Sequence, residues 1–243
     1  MVGTLTALDV FLWGILPYIV VTVFFVGTAG RYAGDRYGWT SKSTELLEKR
    51  LLKWGSLLFH WGFVLVFGGH VLGLLVPVSV DEQFGVSSEM YHSLAFWGGA
   101  VAGVVAILGL ALLTYRRLAY PRVRATSSVS DYLTLGVLFL VMGAGLWDTL
   151  GNTLLNGAYE YRTTVGVWFR SLVLFSPNVG AMSGAPATYQ FHAILGMVFF
   201  LVFPFTRLVH ILSLPFEYVN RRYILYRSLH PIGRPAAQGR SRP

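Results

Sequence analysis

Five long apolar stretches dominate this sequence and restrict the chain to one class of fold. A helix needs about 20 apolar residues to cross the hydrocarbon core of a bilayer. Hydrophobic residues make up 54% of the 243 residues and charged residues only 12%, which is far from the composition of a soluble domain. We therefore predict an all-α membrane protein without strands. The predicted transmembrane helices are residues 7–29, 54–77, 91–114, 131–150 and 190–213.

The distribution of positive charge predicts the orientation of these helices. Apart from Arg162 and Arg170, every Lys and Arg lies in the loop at 30–53, in the loop after the third helix, or in the region from 207 onward. Because basic loops stay in the cytoplasm, we expect the amino terminus outside and the carboxyl terminus inside. The acidic loop with Asp81, Glu82 and Glu89 is then outside. On this interpretation the net charge of +8 mainly reflects the orientation of the chain in the membrane and also attracts anionic membrane lipid. No nucleic-acid partner is predicted.

The absence of cysteine excludes several chemistries. Without a thiol the chain has no thiolate-held iron-sulfur cluster, no covalent C-x-x-C-H haem attachment and no disulfide. The sequence also lacks a Walker loop, a dinucleotide-binding glycine motif and an H-E-x-x-H zinc motif. Any electrons that reach this chain must therefore leave to another polypeptide.

Four histidines lie within the apolar stretches, two in the second predicted helix and two in the fifth. An imidazole in hydrocarbon is costly unless something satisfies it, so paired histidines in two helices indicate two metal centres between those helices. Haem is the cofactor that fits best. Glycines near the histidines would let a flat macrocycle approach the backbone, although glycine also serves helix packing. These glycines are Gly62, Gly68, Gly69, Gly73 and Gly196.

Helix direction determines which histidines pair. The second helix runs outward, so His60 is inner and His70 is outer; the fifth runs inward, so His192 is outer and His210 is inner. The predicted pairs are His70 with His192 and His60 with His210. Their separations along an ideal helix differ by about 12 Å. Helix tilt, canted iron axes or a bend at Pro204 would each absorb this difference, and the sequence leaves these alternatives open.

Four segments of the chain closely resemble the gamma subunit of membrane-bound respiratory nitrate reductase. They are the opening LPYIV with GTAGRY, then FHWGFVLVFGGHVLG from Phe59, PRVRAT from Pro121, and FHAILGMVFFLVFPFTRLVHILSLPFEY from Phe191. The similarity covers nearly the whole chain, from about residue 10 to residue 227. It implies a five-helix cytochrome b domain at 1–227, which leaves 228–243 as a basic, Pro/Arg-rich cytoplasmic tail.

The resemblance implies a cytochrome b with two haem b groups between the second and fifth helices, in the cytoplasmic membrane of a prokaryote. The family's ligands fall on His60 and His210 for the inner iron and on His70 and His192 for the outer iron. Such a subunit oxidises quinol, expected here to be menaquinol, near the outer face. Its electrons pass to an iron-sulfur beta subunit and then to a molybdenum-containing alpha subunit that reduces nitrate.

Quinol oxidation also needs a base. Some family members use a lysine at the start of the third helix, where this chain has no lysine, so His92 is the predicted proton acceptor, with Glu89 or Tyr91 behind it. Arginines at the cytoplasmic helix ends are candidate contacts for haem propionates or simple topology anchors. They are Arg116, Arg117, Arg122, Arg124 and Arg207.

Three other interpretations remain open. A related quinone-linked cytochrome b that serves sulfur or heterodisulfide chemistry would share the histidines but have other soluble partners. A haem-free proton or ion pathway would use them as relays, and the purified protein would be colourless. In a passive membrane anchor the histidines would be dispensable.

Overall fold

A computed structural model describes residues 5–35 and 39–212, and this part of the chain is all-helical. Five helical stretches are long and apolar enough to span a membrane, which confirms the predicted all-α class and the predicted number of spanning helices. They are Ala7–Gly34, Arg50–Leu75, Ser88–Ala119, Val129–Asn156 and Ala187–Phe205. The predicted tail at 228–243 lies outside the described residues.

We number the helices in chain order. The spanning helices are α1 (Ala7–Gly34), α2 (Arg50–Leu75), α4 (Ser88–Ala119), α6 (Val129–Asn156) and α9 (Ala187–Val202). Helix α1 contains a π-helical stretch at Phe11–Ile15, and α6 contains one at Trp147–Asn152. The short helices are α3 (Val78–Gln83), α5 (Pro121–Ala125), α7 (Val165–Val173) and α8 (Val179–Ser183).

Three of the long helices, α1, α4 and α6, begin at residues that satisfy their free amide groups. Thr6 and Asp9 form a capping box at the start of α1, and Ser128 and Asp131 form one at the start of α6. The Ser87 hydroxyl accepts a hydrogen bond from the amide of Met90 at the start of α4. In hydrocarbon every backbone donor needs a partner, so such caps favour the start of these three helices at the observed residues.

Small residues bring α2 and α4 into close contact. A Cβ atom on Gly62 would lie 2.6 Å from the backbone nitrogen of Ala106, and a Cβ on Gly55 would lie 3.0 Å from the Leu113 side chain. Gly109 lies directly against the backbone of Phe59. Close backbone approach at small residues is the usual packing mode of membrane helices. Gly62 therefore serves helix packing.

The five helices alternate in direction, so the loops gather at two ends of the bundle. The upper end carries residues 76–87 and 157–186, and the lower end carries the described loop residues up to Lys49, the segment 120–128 and the residues after Val202. One apolar cluster lies toward the upper end, around Trp13, Trp168 and Met182. A second, around Leu110, Phe203 and Val209, lies toward the lower end.

The fifth spanning helix is shorter than the sequence predicts. The α-helix ends at Val202, and two 3₁₀ turns follow at Phe203–Phe205 and Arg207–Leu212. Pro204 cannot donate a helical hydrogen bond, and Thr206 between the turns is extended, with φ −120° and ψ 177°. The guanidinium of Arg31 donates to the carbonyl oxygens of Pro204 (2.8 Å) and Thr206 (2.7 Å). His210 consequently lies on a 3₁₀ turn rather than on a continuous helix.

Candidate functional site

Two pairs of imidazoles lie between α2 and the segment formed by α9 and its following turns. The ring centroids of His70 and His192, the upper pair, are 5.9 Å apart. Those of His60 and His210, the lower pair, are 6.2 Å apart. The structure therefore brings together the same partners that helix direction predicts. The break after Val202 makes this possible, because an unbroken helix would carry His210 beyond His60.

The separation of each pair suits one metal atom between the rings. An imidazole nitrogen lies about 2 Å from the metal that it binds, so two opposed rings on one metal have centroids about 6 Å apart. In the described part of the chain, no group of three or more His, Cys, Asp or Glu side chains could hold a bare metal ion. A haem needs only two axial ligands from the protein, since its macrocycle supplies the others. The residues present thus fit haem better than a bare ion.

Three of the four rings are oriented by a hydrogen bond at Nδ1. His60 Nδ1 donates a hydrogen bond to the carbonyl oxygen of Ser56 (2.8 Å), and His70 Nδ1 donates one to the carbonyl oxygen of Val66 (2.8 Å). His210 Nδ1 lies 2.6 Å from the carbonyl oxygen of Arg207. In this tautomer Nε2 carries the lone pair with which a histidine binds a metal, and a backbone carbonyl at the other nitrogen is typical of metal-binding histidine.

The fourth ring, His192, is positioned by packing. Its Nδ1 is buried without a hydrogen-bond partner. The ring lies directly against Gly145 of α6, where a Cβ atom would approach His192 Cε1 to 2.9 Å. One turn along α9, a Cβ on Gly196 would meet no atom within 4 Å. A side chain at position 145 would therefore displace the imidazole, while position 196 faces open space.

The other glycines near the histidines divide into two groups. Gly73 lies against the hydroxyl groups of Tyr91 and Tyr161, and Gly62 lies in the α2–α4 interface. Cβ atoms on Gly68 and Gly69 would meet nothing within 4 Å. Among the five glycines that the sequence singled out, only Gly68, Gly69 and Gly196 leave room for a further group.

At the lower end, Arg116 ties the loop before α2 to α4. Its guanidinium is buried and donates to the Glu48 carboxylate (2.8 Å), to the Thr44 hydroxyl and to the carbonyl oxygens of both residues. Burial acts to raise the pKa of Glu48, but the amide of Leu51 and the Arg116 guanidinium together hold it below its ordinary value. This arginine is therefore engaged within the protein.

The remaining arginine candidates differ in their partners. Arg117 and Arg207 both form ion pairs with the buried Asp131, at 3.2 and 2.8 Å. Arg122 and Arg124 on α5 are exposed, and their side chains form no hydrogen bond or ion pair with the described residues. Of the five, these two are the guanidinium groups that the described chain leaves available to a partner.

At the upper end, His92 forms a pair that the sequence did not predict. Its Nε2 lies 3.1 Å from a carboxylate oxygen of Glu160, in the loop between α6 and α7. Both side chains are partly exposed, 24% for His92 and 30% for Glu160. Tyr91, which the sequence placed behind His92, instead forms a hydrogen bond with Tyr161 (2.7 Å). Glu89 forms no ion pair within the described residues.

Arg162 organises this end of the bundle. Its fully buried side chain donates to Asp81 (2.7 Å) and to both oxygens of Glu160 (2.8 and 2.7 Å). The guanidinium carbon lies 3.7 Å from the ring centroid of Tyr91, a cation–π contact. Burial raises the pKa of the neighbouring Tyr161 phenol. Arg162 thereby links α3, α4 and the loop after α6.

The hydrogen bonds from Arg162 lower the pKa of Glu160 below its ordinary value of 4.5. A carboxyl group whose pKa is lower in the folded state stabilises that state above its unfolded pKa, and the contribution disappears as pH falls through the folded pKa. We expect the thermal midpoint of the purified protein to fall as the pH drops below about 4.5, and the fall to be smaller in Glu160→Gln. Glu82→Gln, an exposed carboxyl on α3, is the control and should follow the wild-type profile. Identical profiles for wild type and Glu160→Gln would contradict this role.

Comparison with known proteins gives a consistent result along most of the chain. The family model described as nitrate reductase gamma subunit matches residues 9–229. The nitrate reductase gamma chain of Bacillus subtilis (strain 168) is 51% identical over 216 residues, which cover 89% of this chain and 96% of the relative. The respiratory nitrate reductase 2 gamma chain of Escherichia coli (strain K12) is 38% identical over 223 residues, or 91% of this chain and 97% of the relative. One polypeptide of the dihydromethanophenazine:CoB–CoM heterodisulfide reductase from Methanosarcina thermophila is 25% identical over 181 residues, which cover 70% of this chain and 61% of the relative.

Proposed function

Because this chain belongs to the nitrate reductase gamma subunit family, we propose that it is the quinol-oxidising, di-haem cytochrome b of a respiratory nitrate reductase. One observation carries the proposal. Two histidine pairs, with ring centroids 5.9 and 6.2 Å apart, lie at two levels between the same two spanning segments. A haem bound at each pair would give electrons two successive sites at different depths of the bilayer.

We propose that the lower end faces the cytoplasm of a prokaryote. Arg116, Arg117, Arg122 and Arg124 lie at this end, whereas Asp81, Glu82 and Glu89 lie at the upper end. The bias of arginine toward one side supports this orientation by the positive-inside rule. The amino terminus is then outside and the carboxyl terminus inside.

In this proposal His70 and His192 hold the outer haem b, and His60 and His210 hold the inner one. Each bound haem supplies an iron that takes up and releases one electron. The chain's own contribution is to orient the imidazoles through Ser56, Val66 and Arg207 and through the contact at Gly145. With two imidazole ligands from the chain, a bound haem would favour electron transfer over oxygen binding.

Quinol, which we take to be menaquinol, gives up its protons at the upper end. His92 accepts one of them, and Glu160 stabilises the imidazolium that forms, at 3.1 Å. The partial exposure of both side chains provides a path to the outer solvent. Protons are therefore released outside while nitrate reduction consumes protons inside, which moves charge across the membrane.

Electrons leave at the lower end toward an iron-sulfur beta subunit and then a molybdenum-containing alpha subunit. The exposed Arg122 and Arg124 on α5 are the side chains that we assign to this docking surface or to haem propionates. Arg116, Arg117 and Arg207 have partners within the chain and hold the lower loops in place.

A spectrum of the assembled complex tests the proposal. A pyridine haemochrome assay should give two haem b equivalents per chain, and quinol should reduce both. Addition of nitrate should then reoxidise them. Fewer than two equivalents, or reduced haem that nitrate leaves unchanged, would contradict the proposed function.

The heterodisulfide-type alternative has support from the 25% identical Methanosarcina relative. That alternative function keeps the proposed electron transfer within the membrane but requires other soluble partners. Reoxidation by a heterodisulfide and not by nitrate would favour it. The 51% identity over nearly the full length of a nitrate reductase gamma chain favours nitrate.

Replacement of His92 by Ala should slow quinol oxidation by about 100-fold, the lower end of what a positioned acid or base contributes. Both haem spectra should be unchanged, because His92 belongs to neither pair. The measurement is steady-state oxidation of a soluble menaquinol analogue, with nitrate as acceptor. Glu89→Gln, in the same turn of α4, is the matched control and should retain activity. Unchanged turnover in His92→Ala would remove this residue from the mechanism.

A further inference from the structure

Asp148, near the upper end of α6, is a buried carboxyl group that the proposed function does not yet use. The residue is 5% exposed, and neither carboxylate oxygen has a hydrogen-bond partner. An ionised carboxylate without partners is unfavourable in such a place, so the group is poised to take up a proton.

Other carboxylates of the bundle are paired. Asp131 contacts Arg117 and Arg207, and Glu48 contacts Arg116. Glu160 contacts Arg162. Among the described residues, Asp148 is the carboxylate whose two oxygens are both buried and unpartnered. Its isolation is therefore a specific property of this position.

The position of Asp148 relates it to the upper histidine pair. Gly145, which the His192 ring contacts, lies one turn before Asp148 on α6. Thr188 lies one turn before His192 on α9, and its buried hydroxyl also has no hydrogen-bond partner. The Thr188 hydroxyl interacts with the Asp148 carboxyl group, although the two groups do not reach hydrogen-bond geometry. The carboxyl group is thus about one helical turn beyond the outer haem ligand, toward the upper end.

The local backbone is irregular. Asp148 lies in the π-helical stretch Trp147–Asn152, and such stretches are frequent at functional sites. From α9, the titratable group that faces Asp148 is the Tyr189 phenol. From α4, the glycines Gly99 and Gly103 pack against Thr149 and Leu146 and bring no charge. No described cation compensates the carboxylate there.

We propose that Asp148 accepts one of the two protons that quinol releases, as an electron enters the outer haem site. The inference rests on the proposed function. Quinol gives up two electrons through the histidine pairs and two protons, one to His92 and one to Asp148, and becomes quinone. A quinol O–H bond breaks and an O–H bond forms on the carboxyl group. The proton then leaves past Thr188 and Tyr189 as the electron moves to the lower pair.

Redox titration of the outer haem in the complex tests this proposal without measuring turnover. If one proton accompanies each electron, the midpoint potential falls by up to 59 mV per pH unit over the range in which Asp148 titrates. We expect this slope in wild type and in Asp148→Glu, and a nearly flat profile in Asp148→Asn. Redox-difference infrared spectra should show a carboxylic acid C=O band on reduction, and Asp148→Asn should lack it.

Glu82→Gln is the control, because it removes a carboxylate charge at the same end on an exposed side chain. It should leave the slope and the infrared band unchanged. A wild-type slope and band retained in Asp148→Asn would overturn the proposal, as would a wild-type spectrum without any carboxylic acid band, even if Asp148→Asn failed to assemble. Absence of haem from wild type would instead contradict the proposed function and remove this inference with it.

Discussion

Replacement of His70 by Ala is expected to remove the outer haem and leave the inner one. The chain would then retain one haem b equivalent instead of two. Mutation of a residue that supports a metal ligand typically lowers metal affinity or activity by about 10- to 100-fold. Loss of the ligand itself should therefore lower quinol-driven nitrate reduction by at least about 100-fold. The measurements are a pyridine haemochrome assay and a redox titration of the remaining haem.

The four single replacements together test the pairing. His192→Ala should remove the same haem as His70→Ala, since their ring centroids are 5.9 Å apart. His60→Ala and His210→Ala should both remove the other haem. His92→Ala is the histidine control at the upper end and should retain both. Loss of different haems in His70→Ala and His192→Ala, or two unaltered haems in any of the four variants, would contradict the assignment.

Replacement of Gly145 by Val is expected to impair the outer site although no ligand is removed. Even a single Cβ at this position would lie 2.9 Å from His192 Cε1, and the ring would have to move. The imidazole has no hydrogen bond at Nδ1 to restore its orientation. We expect occupancy of the outer haem site to fall by about 10-fold, with the inner haem retained.

Gly143→Val is the matched control on the same helix, since a Cβ at Gly143 would meet no atom within 4 Å. Both variants add the same β-branched side chain to α6, so a difference between them reports the contact with His192. The measurement is haem content and the reduced-minus-oxidised spectrum of each complex. Equal retention of both haems by the two variants would show that Gly145 does not determine the position of His192.

The boundaries of four spanning helices were predictable to within about six residues, because hydropathy over a membrane-length window is a local property. The fifth was not. Its apolar run continues to residue 213, but the α-helix ends at Val202. The apolar pattern cannot distinguish a straight helix from one broken at Pro204, and the carbonyl groups after the break are satisfied by Arg31, more than 170 residues away in sequence.

The polar cluster at the upper end was only partly predictable. His92 was identified from its place at the start of a spanning helix, but Glu160 and Arg162 were not. Arg162 was one of only two basic residues outside the three basic segments of the sequence, and this exception was the available signal. Its partner Asp81 is 81 residues away in sequence, a contact that no local pattern indicates.

The amino-acid sequence by itself determined the fold class, the number of spans and the partners within each histidine pair. Hydropathy can be summed along the chain, and helix direction follows from the order of the spans, without knowledge of distant contacts. Because the second and fifth spanning segments are antiparallel, only one pairing places both histidines of each pair at the same depth. Only the tertiary structure decided which charged groups are neutralised and which glycines are packed. In the tertiary structure Asp131 is paired with two guanidinium groups, whereas Asp148 is buried without a hydrogen-bond partner. The physical reason is that the cost of a buried charge depends on neighbours from other helices.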